Sequence, residues 1–297
     1  MSEDAEDDYA HARAQAAEIE AEIRGNAMIS EVKETLDLLP LFENSELPGF
    51  ALGVKSLGGF EMRAVRGDGN CFYRSVLFSY LEKLVIGKDV EENQKELERM
   101  LEVIKKSKDD LMAVGYQEFA IESFYDMFVE LLEQVGAITP EELLAMFQED
   151  GNGDYFTWYM RVLCACEMRR NAEKYFPFIP NGVAADMKSY CEREVEPMGR
   201  ECEQVQVIAL VDYLGIKVSI TYLDGHPFDE ALSVHRFPHE GGFGPEVTLL
   251  YRPGTYFICF HFFLICYIAL TSPKIFHNNT YVANIVLIII LLNPTST

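Results

Sequence analysis

The chain has 297 residues, which is enough to bury a sizeable core in one large domain or two small ones. Its 48 acidic residues outnumber its 25 basic residues, and the net charge of −23 disfavours contact with the phosphate backbone of nucleic acids. We therefore expect no nucleic-acid partner, whereas partners with basic surfaces are favoured.

The cysteines and the N-terminal segment indicate an intracellular protein. The chain has seven cysteines, an odd number, and it opens with an acidic, helix-prone segment rather than a secretory signal. We expect free thiols and a cytoplasmic location, with the nucleus as an alternative. Since no cysteine spacing fits a zinc site, we predict no metal and no cofactor.

Residues 1–45 are predicted to form an acidic arm, either helical or disordered. The stretch from Ala10 to Arg24 is rich in Ala, Glu and Gln, which favour a helix, and Gly25 can end that helix. The arm is either a solvated segment or a partner-binding segment, and the sequence leaves both interpretations open.

Residues 46–254 have the pattern of one α/β (α+β) domain. Apolar residues at helical spacing predict a helix that stops at Gly136, and Thr139 and Glu142 form a capping box for the next helix. We expect Asp154 to cap a further helix. A buried helix, "VIALVDYLG", then precedes two strands, "IKVSITYL" and "EVTLLYR". Early helices and late strands favour this fold class.

The composition changes after Gly254. Residues 255–297 contain no Asp, Glu, Arg or Gly and a single Lys. The apolar runs Tyr256–Leu270 and Tyr281–Leu292 have 15 and 12 residues, whereas a membrane span needs about 20. We interpret the tail as sequence foreign to the domain, from a retained intron or a gene-model error. Membrane association through residues 256–292 is the alternative.

The segment "RGDGNCFYRS", residues 66–75, predicts a reactive cysteine. Gly67 and Gly69 permit a tight turn, and the apolar spacing after Cys71 predicts that a helix begins there. The N-terminus of a helix stabilises a thiolate, so we expect a lowered pKa for Cys71, and the N–H groups of the turn can receive an oxyanion. These residues alone leave a second interpretation open, a buried structural cysteine.

The string "GDGNCFYRS" resembles the nucleophile motif of the ovarian-tumour cysteine proteases, and residues 45–254 as a whole resemble their otubain branch. The similarity continues in order through "GYQEFAIESFYDMFVELLEQV", "DYFTWYMRVL", "EKYFPFIPNG", "CEREVEPMGRECEQVQVIALVDYLGIKVSITYLD" and "VTLLYRPG". The resemblance implies a papain-like fold that cleaves isopeptide bonds after the C-terminal glycine of ubiquitin. It implies ubiquitin and polyubiquitin chains as partners, and ubiquitin-conjugating enzymes as further candidates.

The resemblance also assigns roles to the residues of the turn. Cys71 corresponds to the nucleophile. Asp68 stands where the family has an aspartate whose backbone N–H helps to hold the tetrahedral intermediate. Gly69 and Asn70 would shape the turn between them.

At the catalytic base, this chain departs from the family. Otubains carry the base in a strand that reads Tyr-Arg-Pro-Gly-His-Tyr-Asp, whereas this chain reads "YRPGTYF". Thr255 therefore stands at the position of the catalytic histidine, and Phe257 replaces the acid that orients it. Threonine cannot act as a base near neutral pH.

The six histidines offer no substitute for the lost base. His261 would lie about 20 Å further along the strand. His226, His235 and His239 are predicted to lie in surface loops, and the other two belong to the arm and the tail. We expect a ubiquitin thioesterase or isopeptidase by lineage, very weak or inactive in this chain. The alternative is a non-catalytic module that binds ubiquitin or ubiquitin-conjugating enzymes.

Overall fold

The computed structural model describes residues 21–260, except residues 44, 150, 229, 230 and 239. Helices make up most of the first two thirds of this part, and a sheet completes it. The α-helices are α1 (residues 21–25), α2 (Pro48–Ser56), α3 (Cys71–Ile86), α4 (Glu91–Ala113), α5 (Glu118–Gln134), α6 (Pro140–Gln148), α7 (Asn152–Arg170), α8 (Ala172–Tyr175), α9 (Met187–Tyr190) and α10 (Gln204–Leu214). Two 3₁₀ helices, Thr35–Phe42 and Phe176–Phe178, and a π-helix, Cys191–Val195, complete the helical segments of the described chain.

The strands form a single sheet in the described residues. They are β1 (Lys33–Glu34), β2 (Glu61–Ala64), β3 (Ile216–Tyr222), β4 (Val234–Phe237), β5 (Phe243–Arg252) and β6 (Thr255–Phe260). Their order is β1-β2-β6-β5-β3-β4, and neighbours are antiparallel except for the parallel pair β3 and β5. A two-residue turn with Gly254 at φ 87° joins β5 to β6, so that Arg252 pairs with Thr255.

Hydrophobic clusters cover both faces of the sheet. The larger cluster packs helices α3 to α10 against one face, where Leu249 and Ile258 lie. The smaller cluster packs the first 3₁₀ helix and α2 against the other face, through Leu38 and Val54. Because side chains alternate along a strand, Phe257 points into the smaller cluster and its neighbour Ile258 into the larger one.

Helix α3 is buried on nearly every side. It packs against β5 and β6 and also against α6 and α7, so its polar residues are enclosed together with its apolar ones. The two fully buried charged residues both have partners: Arg74 pairs with Asp68, and Glu82 pairs with Arg63. The start of this helix is therefore fixed by the core.

Several local predictions are confirmed. Helix α5 ends at Gln134, just before Gly136. Thr139 accepts a hydrogen bond from the Glu142 N–H, and the Glu142 carboxylate accepts one from the Thr139 N–H. The mixed α/β architecture is also as predicted. In these segments the local signals and the tertiary packing agree.

The predicted N-cap at Asp154 is wrong. The cap of α7 is Gly151, whose φ of 92° places it in a conformation that glycine adopts without strain. Asp154 lies within the first helical turn, and its carboxylate is 3.3 Å from Nη2 of Arg74. Pairing with this buried guanidinium takes the place of capping.

Regular structure continues across both predicted domain boundaries. Before residue 46, Ile29 belongs to the larger cluster and Phe42 to the smaller one. After residue 254, residues 255–260 form β6 in the interior of the sheet. Residues 1–20 and 261–297, which include most of the predicted helix of the arm and most of the tail, lie outside the described residues. Among the described helices none is both long and apolar enough to cross a membrane.

Candidate active site

Cys71 is the first residue of α3, as the sequence predicts, and Asn70 is its N-cap. The chain reaches this point from β2 through the turn of residues 66–70. The first N–H groups of a helix have no acceptor within the helix, so they are available to an anion at this end. One of them, the Phe72 N–H, hydrogen-bonds to the sulfur of Cys71.

Two glycines let the turn pack against its neighbours. Gly69 has a φ of 77°, and a Cβ atom at this position would overlap the carbonyl oxygen of Gly199. A Cβ atom on Gly67 would lie 2.9 Å from the carbonyl oxygen of Gly254 and 3.4 Å from Cβ of Thr255. The turn is therefore held between the loop at residue 199 and the β5–β6 hairpin, where larger residues do not fit.

The Asp68 carboxylate holds the turn to α3. Its Oδ1 accepts a hydrogen bond from the Asn70 N–H at 3.0 Å, and both of its oxygens accept from Arg74, at 3.0 and 2.9 Å. Burial alone would raise the pKa of Asp68, but the hydrogen bonds and charge of Arg74 outweigh it and hold that pKa below the usual value. The carboxylate stays ionised and rigidly placed.

The structure adds three residues that the sequence analysis missed. Asn70 Oδ1 accepts hydrogen bonds from the Gly199 N–H and from Arg161, both at 2.8 Å, while Arg74 anchors Asp68. The two arginines stand in largely apolar helical stretches, "CFYRSVLF" and "DYFTWYMRVL", and both are fully buried. A charged residue inside a buried helix is the signal that could have identified them.

The predicted lowering of the Cys71 pKa is wrong. Cys71 is only 6% exposed, and burial raises the pKa of its thiol to about 11. A hydrogen bond from the backbone of Tyr256 and the charge of Arg74 lower this pKa, whereas the charge of Asp68 raises it. The loss of hydration therefore raises the pKa of Cys71 more than the helix N-terminus lowers it.

Thr255 lies beside the nucleophile, at the position where the resemblance requires the base. It is the first residue of β6, and the next residue, Tyr256, provides the backbone hydrogen bond to Cys71. The Thr255 hydroxyl donates a hydrogen bond to the carbonyl of Val65 at 3.0 Å. The structure therefore brings the two predicted positions together and places a neutral hydroxyl where an imidazole is needed.

Phe257 occupies the position of the missing acid. Its side chain is 5% exposed and packs in the smaller cluster beside Leu38, Phe42 and Met62. A phenylalanine side chain has no polar group that could orient a base, so at this position it contributes only to packing.

Neither described histidine reaches Cys71. His235 lies on β4, not in a loop as predicted, and β4 is separated from β6 by β3 and β5, which corresponds to about 14 Å at ordinary strand spacing. His226 is exposed beside α2, which covers the sheet face opposite α3. The other four histidines lie outside the described residues. In the described chain, no group of His, Cys, Asp and Glu is arranged to hold a metal ion.

A cysteine at a helix N-terminus, a tight glycine-containing turn before it and a facing strand hairpin define the site of a papain-like cysteine hydrolase, here without its base. Comparison with known proteins gives the family. The family described as Peptidase C65 Otubain matches residues 27–260, and the chain belongs to this family. The match ends six residues beyond Gly254, at the end of β6.

Relatives from distant organisms agree with this assignment. Ubiquitin thioesterase OTUB1 of Homo sapiens is 38% identical over 200 residues, which is 67% of this chain and 70% of that protein. OVARIAN TUMOR DOMAIN-containing deubiquitinating enzyme 1 of Arabidopsis thaliana is 33% identical over 215 residues, 67% of this chain and 69% of that protein. The predicted resemblance to the otubain branch is confirmed.

Solved structures give the same answer for the fold. The complex titled h/ceOTUB1-ubiquitin aldehyde-UBC13~Ub matches with a TM-score of 0.74 and 28% identity, covering 84% of this chain and 97% of that chain. A second complex, with UBCH5B~Ub, matches with a TM-score of 0.74 and 29% identity, covering 85% of this chain and 98% of that chain. The predicted otubain fold is confirmed.

Proposed function

We propose that this chain is an otubain that binds ubiquitin and hydrolyses ubiquitin conjugates at a very low rate. The observation that carries the proposal is the contact region between α3 and β6. There Cys71 keeps its turn of backbone amides, while Thr255 donates its hydroxyl to a backbone carbonyl. The names of the relatives, ubiquitin thioesterases, support ubiquitin as the ligand.

The chemistry of the site explains the low rate. With a pKa of about 11, only about one Cys71 thiol in ten thousand is ionised at pH 7. A neighbouring imidazole would remove the thiol proton and later deliver a proton to the leaving amine. Thr255 does neither, so both acylation and departure of the amine are slow.

Ubiquitin binding and ubiquitin-chain cleavage, measured on the same preparation, test the proposal. We expect saturable ubiquitin binding that survives Cys71→Ala, and turnover below that of a histidine-containing otubain by a factor of about 10²–10⁴. The proposal would be contradicted by turnover as fast as that of such an otubain, provided that Cys71→Ala abolishes this turnover. Failure to bind ubiquitin would also contradict it.

A second candidate function is the binding of ubiquitin-conjugating enzymes. The specific observation is a pair of exposed aromatic side chains in the first turns of α5 and α7: Phe119 is 82% exposed and Tyr155 is 44% exposed. The ring of Phe124, on α5, lies 5.1 Å from that of Tyr155, on α7. Two of the matched complexes contain the conjugating enzymes UBC13 and UBCH5B. Exposed aromatic anchors are typical of protein interfaces.

Pull-down with a ubiquitin-charged conjugating enzyme tests this second function. Phe119→Ala should weaken capture of the enzyme and leave binding of free ubiquitin unchanged. The matched control is Phe243→Ala, because Phe243 is 59% exposed but lies at the start of β5, against Arg99. Equal losses in the two variants, or no loss in either, would contradict the assignment of this surface.

The location of the protein is also a proposal. We propose that it is cytoplasmic, with the nucleus as an alternative, on the basis of its acidic N-terminal segment and odd number of cysteines. Fluorescence imaging of the tagged full chain, with and without residues 261–297, would test this and would also detect membrane association of the tail.

A further inference from the structure

Arg161 lies in α7 and is completely buried, yet its hydrogen bonds all end on neutral oxygen atoms. On the side of the nucleophile, its Nη2 donates to the Gly69 carbonyl at 2.7 Å and to Asn70 Oδ1 at 2.8 Å, while Nε donates to the same Oδ1 at 3.2 Å. A buried charge is costly unless dipoles are arranged around it. Arg161 therefore fixes the orientation of the groups that solvate it.

The same guanidinium binds the segments that follow α9. Nη1 donates to the Val195 carbonyl at 2.8 Å, and Nη2 donates to the Arg200 carbonyl at 2.6 Å. Its planar face lies over the ring of Tyr73, with 4.5 Å between Cζ and the ring centroid. One side chain thus joins the turn before Cys71, the end of the π-helix and the loop at residues 199–203.

This connection matters because the loop borders both the nucleophile and a groove. The Gly199 N–H donates to Asn70 Oδ1 at 2.8 Å, and the Gly199 carbonyl packs against Gly69. Gly199, Arg200 and Glu201 also line a groove of about 760 Å³. A shift of this loop would move a wall of the groove and the turn together.

We infer that Arg161 is a positioning residue, which holds the Gly69–Asn70 turn and the loop at residues 199–203 in the geometry that receives an oxyanion formed at Cys71. With the Gly69 carbonyl turned towards Arg161 and the Asn70 N–H bound by Asp68, the peptide between these residues cannot rotate. The Phe72 N–H at the start of α3, which hydrogen-bonds to the sulfur, then keeps its direction. This inference deepens the proposed function and rests on it.

Ubiquitin aldehyde is a probe that reports on this geometry. The Cys71 sulfur adds to the aldehyde carbon, a C–S bond forms, and the thiol proton ends on the former carbonyl oxygen. The oxygen of this hemithioacetal occupies the place of the oxyanion in hydrolysis. Unmodified ubiquitin makes the remaining protein contacts without this group. The ratio of the two dissociation constants contains the C–S bond together with the contacts of this oxygen, and a change in the ratio between variants that keep Cys71 reports on the turn.

The experiment compares Arg161→Gln with Arg169→Gln in the full chain. Arg169 is the matched control: it lies on the same helix, is nearly buried, contacts the ring of Tyr116 and binds Glu196 beside the π-helix, but it does not touch the nucleophile turn. We expect wild type to prefer the aldehyde by at least about tenfold. Arg161→Gln should lose most of this preference and retain ubiquitin binding, whereas Arg169→Gln should keep it.

A conservative variant separates positioning from folding. Arg161→Lys can bind only some of the carbonyls that the guanidinium fork reaches, so its aldehyde preference should fall between those of wild type and Arg161→Gln. If Arg161→Gln does not fold, the aldehyde preference of the lysine variant tests the inference. A folded Arg161→Gln or Arg161→Lys protein with the full wild-type preference would overturn the inference, as would an equal loss in Arg169→Gln.

Hydrogen exchange in the free protein tests the inference without ubiquitin. Arg161→Gln should speed amide exchange in residues 66–71 and 195–203 together, and Arg169→Gln should leave residues 66–71 unchanged. Unchanged exchange of residues 66–71 in Arg161→Gln would overturn the inference. If wild type binds neither form of ubiquitin, the proposed function fails, while the exchange data still decide the role of Arg161.

Discussion

The two halves of the candidate site, the turn before Cys71 and the start of β6, are held in the fold by different forces. Two buried arginines hold the turn, and its glycines fit against neighbouring backbone. The start of β6 is held by strand pairing and by apolar packing, to which a threonine and a phenylalanine are well suited. Loss of Asp68 or Asn70 would remove hydrogen-bond partners from the buried Arg74 or Arg161, whereas at the position of the base the Thr255 hydroxyl has an acceptor.

This difference explains how the fold remains intact without its catalytic base. The hydroxyl of Thr255 has a carbonyl acceptor, and Phe257 fills space in the smaller cluster. The stability of the fold therefore does not require a histidine at position 255, and only catalysis requires one. The following predictions test this contrast, from the largest expected effect to the smallest.

Thr255→His should restore a base beside Cys71. A general base contributes a factor of about 10²–10⁴ in rate, and we expect a gain in ubiquitin-chain cleavage within that range. The control is Thr255→Ala, which loses the hydrogen bond to Val65 without supplying an imidazole and should not increase turnover. A similar gain in a Cys71→Ala background would show that the cleavage does not use this site.

Phe257→Asp should destabilise the protein instead of improving catalysis. It removes a buried ring and places a carboxylate among Leu38, Phe42 and Met62, so we expect a loss of at least about 3–5 kcal/mol in the free energy of unfolding. Urea denaturation measures this loss. Phe257→Leu should cost less than about 1.5 kcal/mol. Similar costs for both variants would mean that this position is not part of the apolar core.

The Cys71 thiol should be slow to react with iodoacetamide at neutral pH. Burial raises its pKa from 9.0 to about 11, so the thiolate fraction at pH 7 is about 100-fold smaller than for an unperturbed thiol. The rate should keep rising up to about pH 11, whereas the rate of a thiol with the unperturbed pKa of 9.0 levels off at about pH 10. Because the folded protein favours the neutral thiol, this group stabilises the fold less as pH rises above 9. A midpoint below 9 would contradict the burial argument.

Gly69→Ala should destabilise the turn. Its positive φ is strained for alanine, and the new Cβ would overlap the Gly199 carbonyl, so we expect a cost of about 1–3 kcal/mol. Gly182→Ala is the matched control, because Gly182 has a φ of 85° and open space around it. It should cost only about 1 kcal/mol, from the backbone conformation alone. Equal costs would mean that the close approach of the loop at residue 199 is unimportant.

The sequence determined the helix that begins at Cys71, the capping box at Thr139 and the late strands, because hydrophobic periodicity and capping are local properties of the chain. It also placed Thr255 at the position of the base, through the resemblance to the otubains. Tertiary structure alone decided the burial of Cys71, which reversed the expected direction of its pKa shift. It also decided the partners of Arg161 and Asp154, since residues separated by about 80 to 130 positions meet at the turn. Desolvation and long-range pairing depend on how the whole chain packs, so no local sequence pattern predicts them.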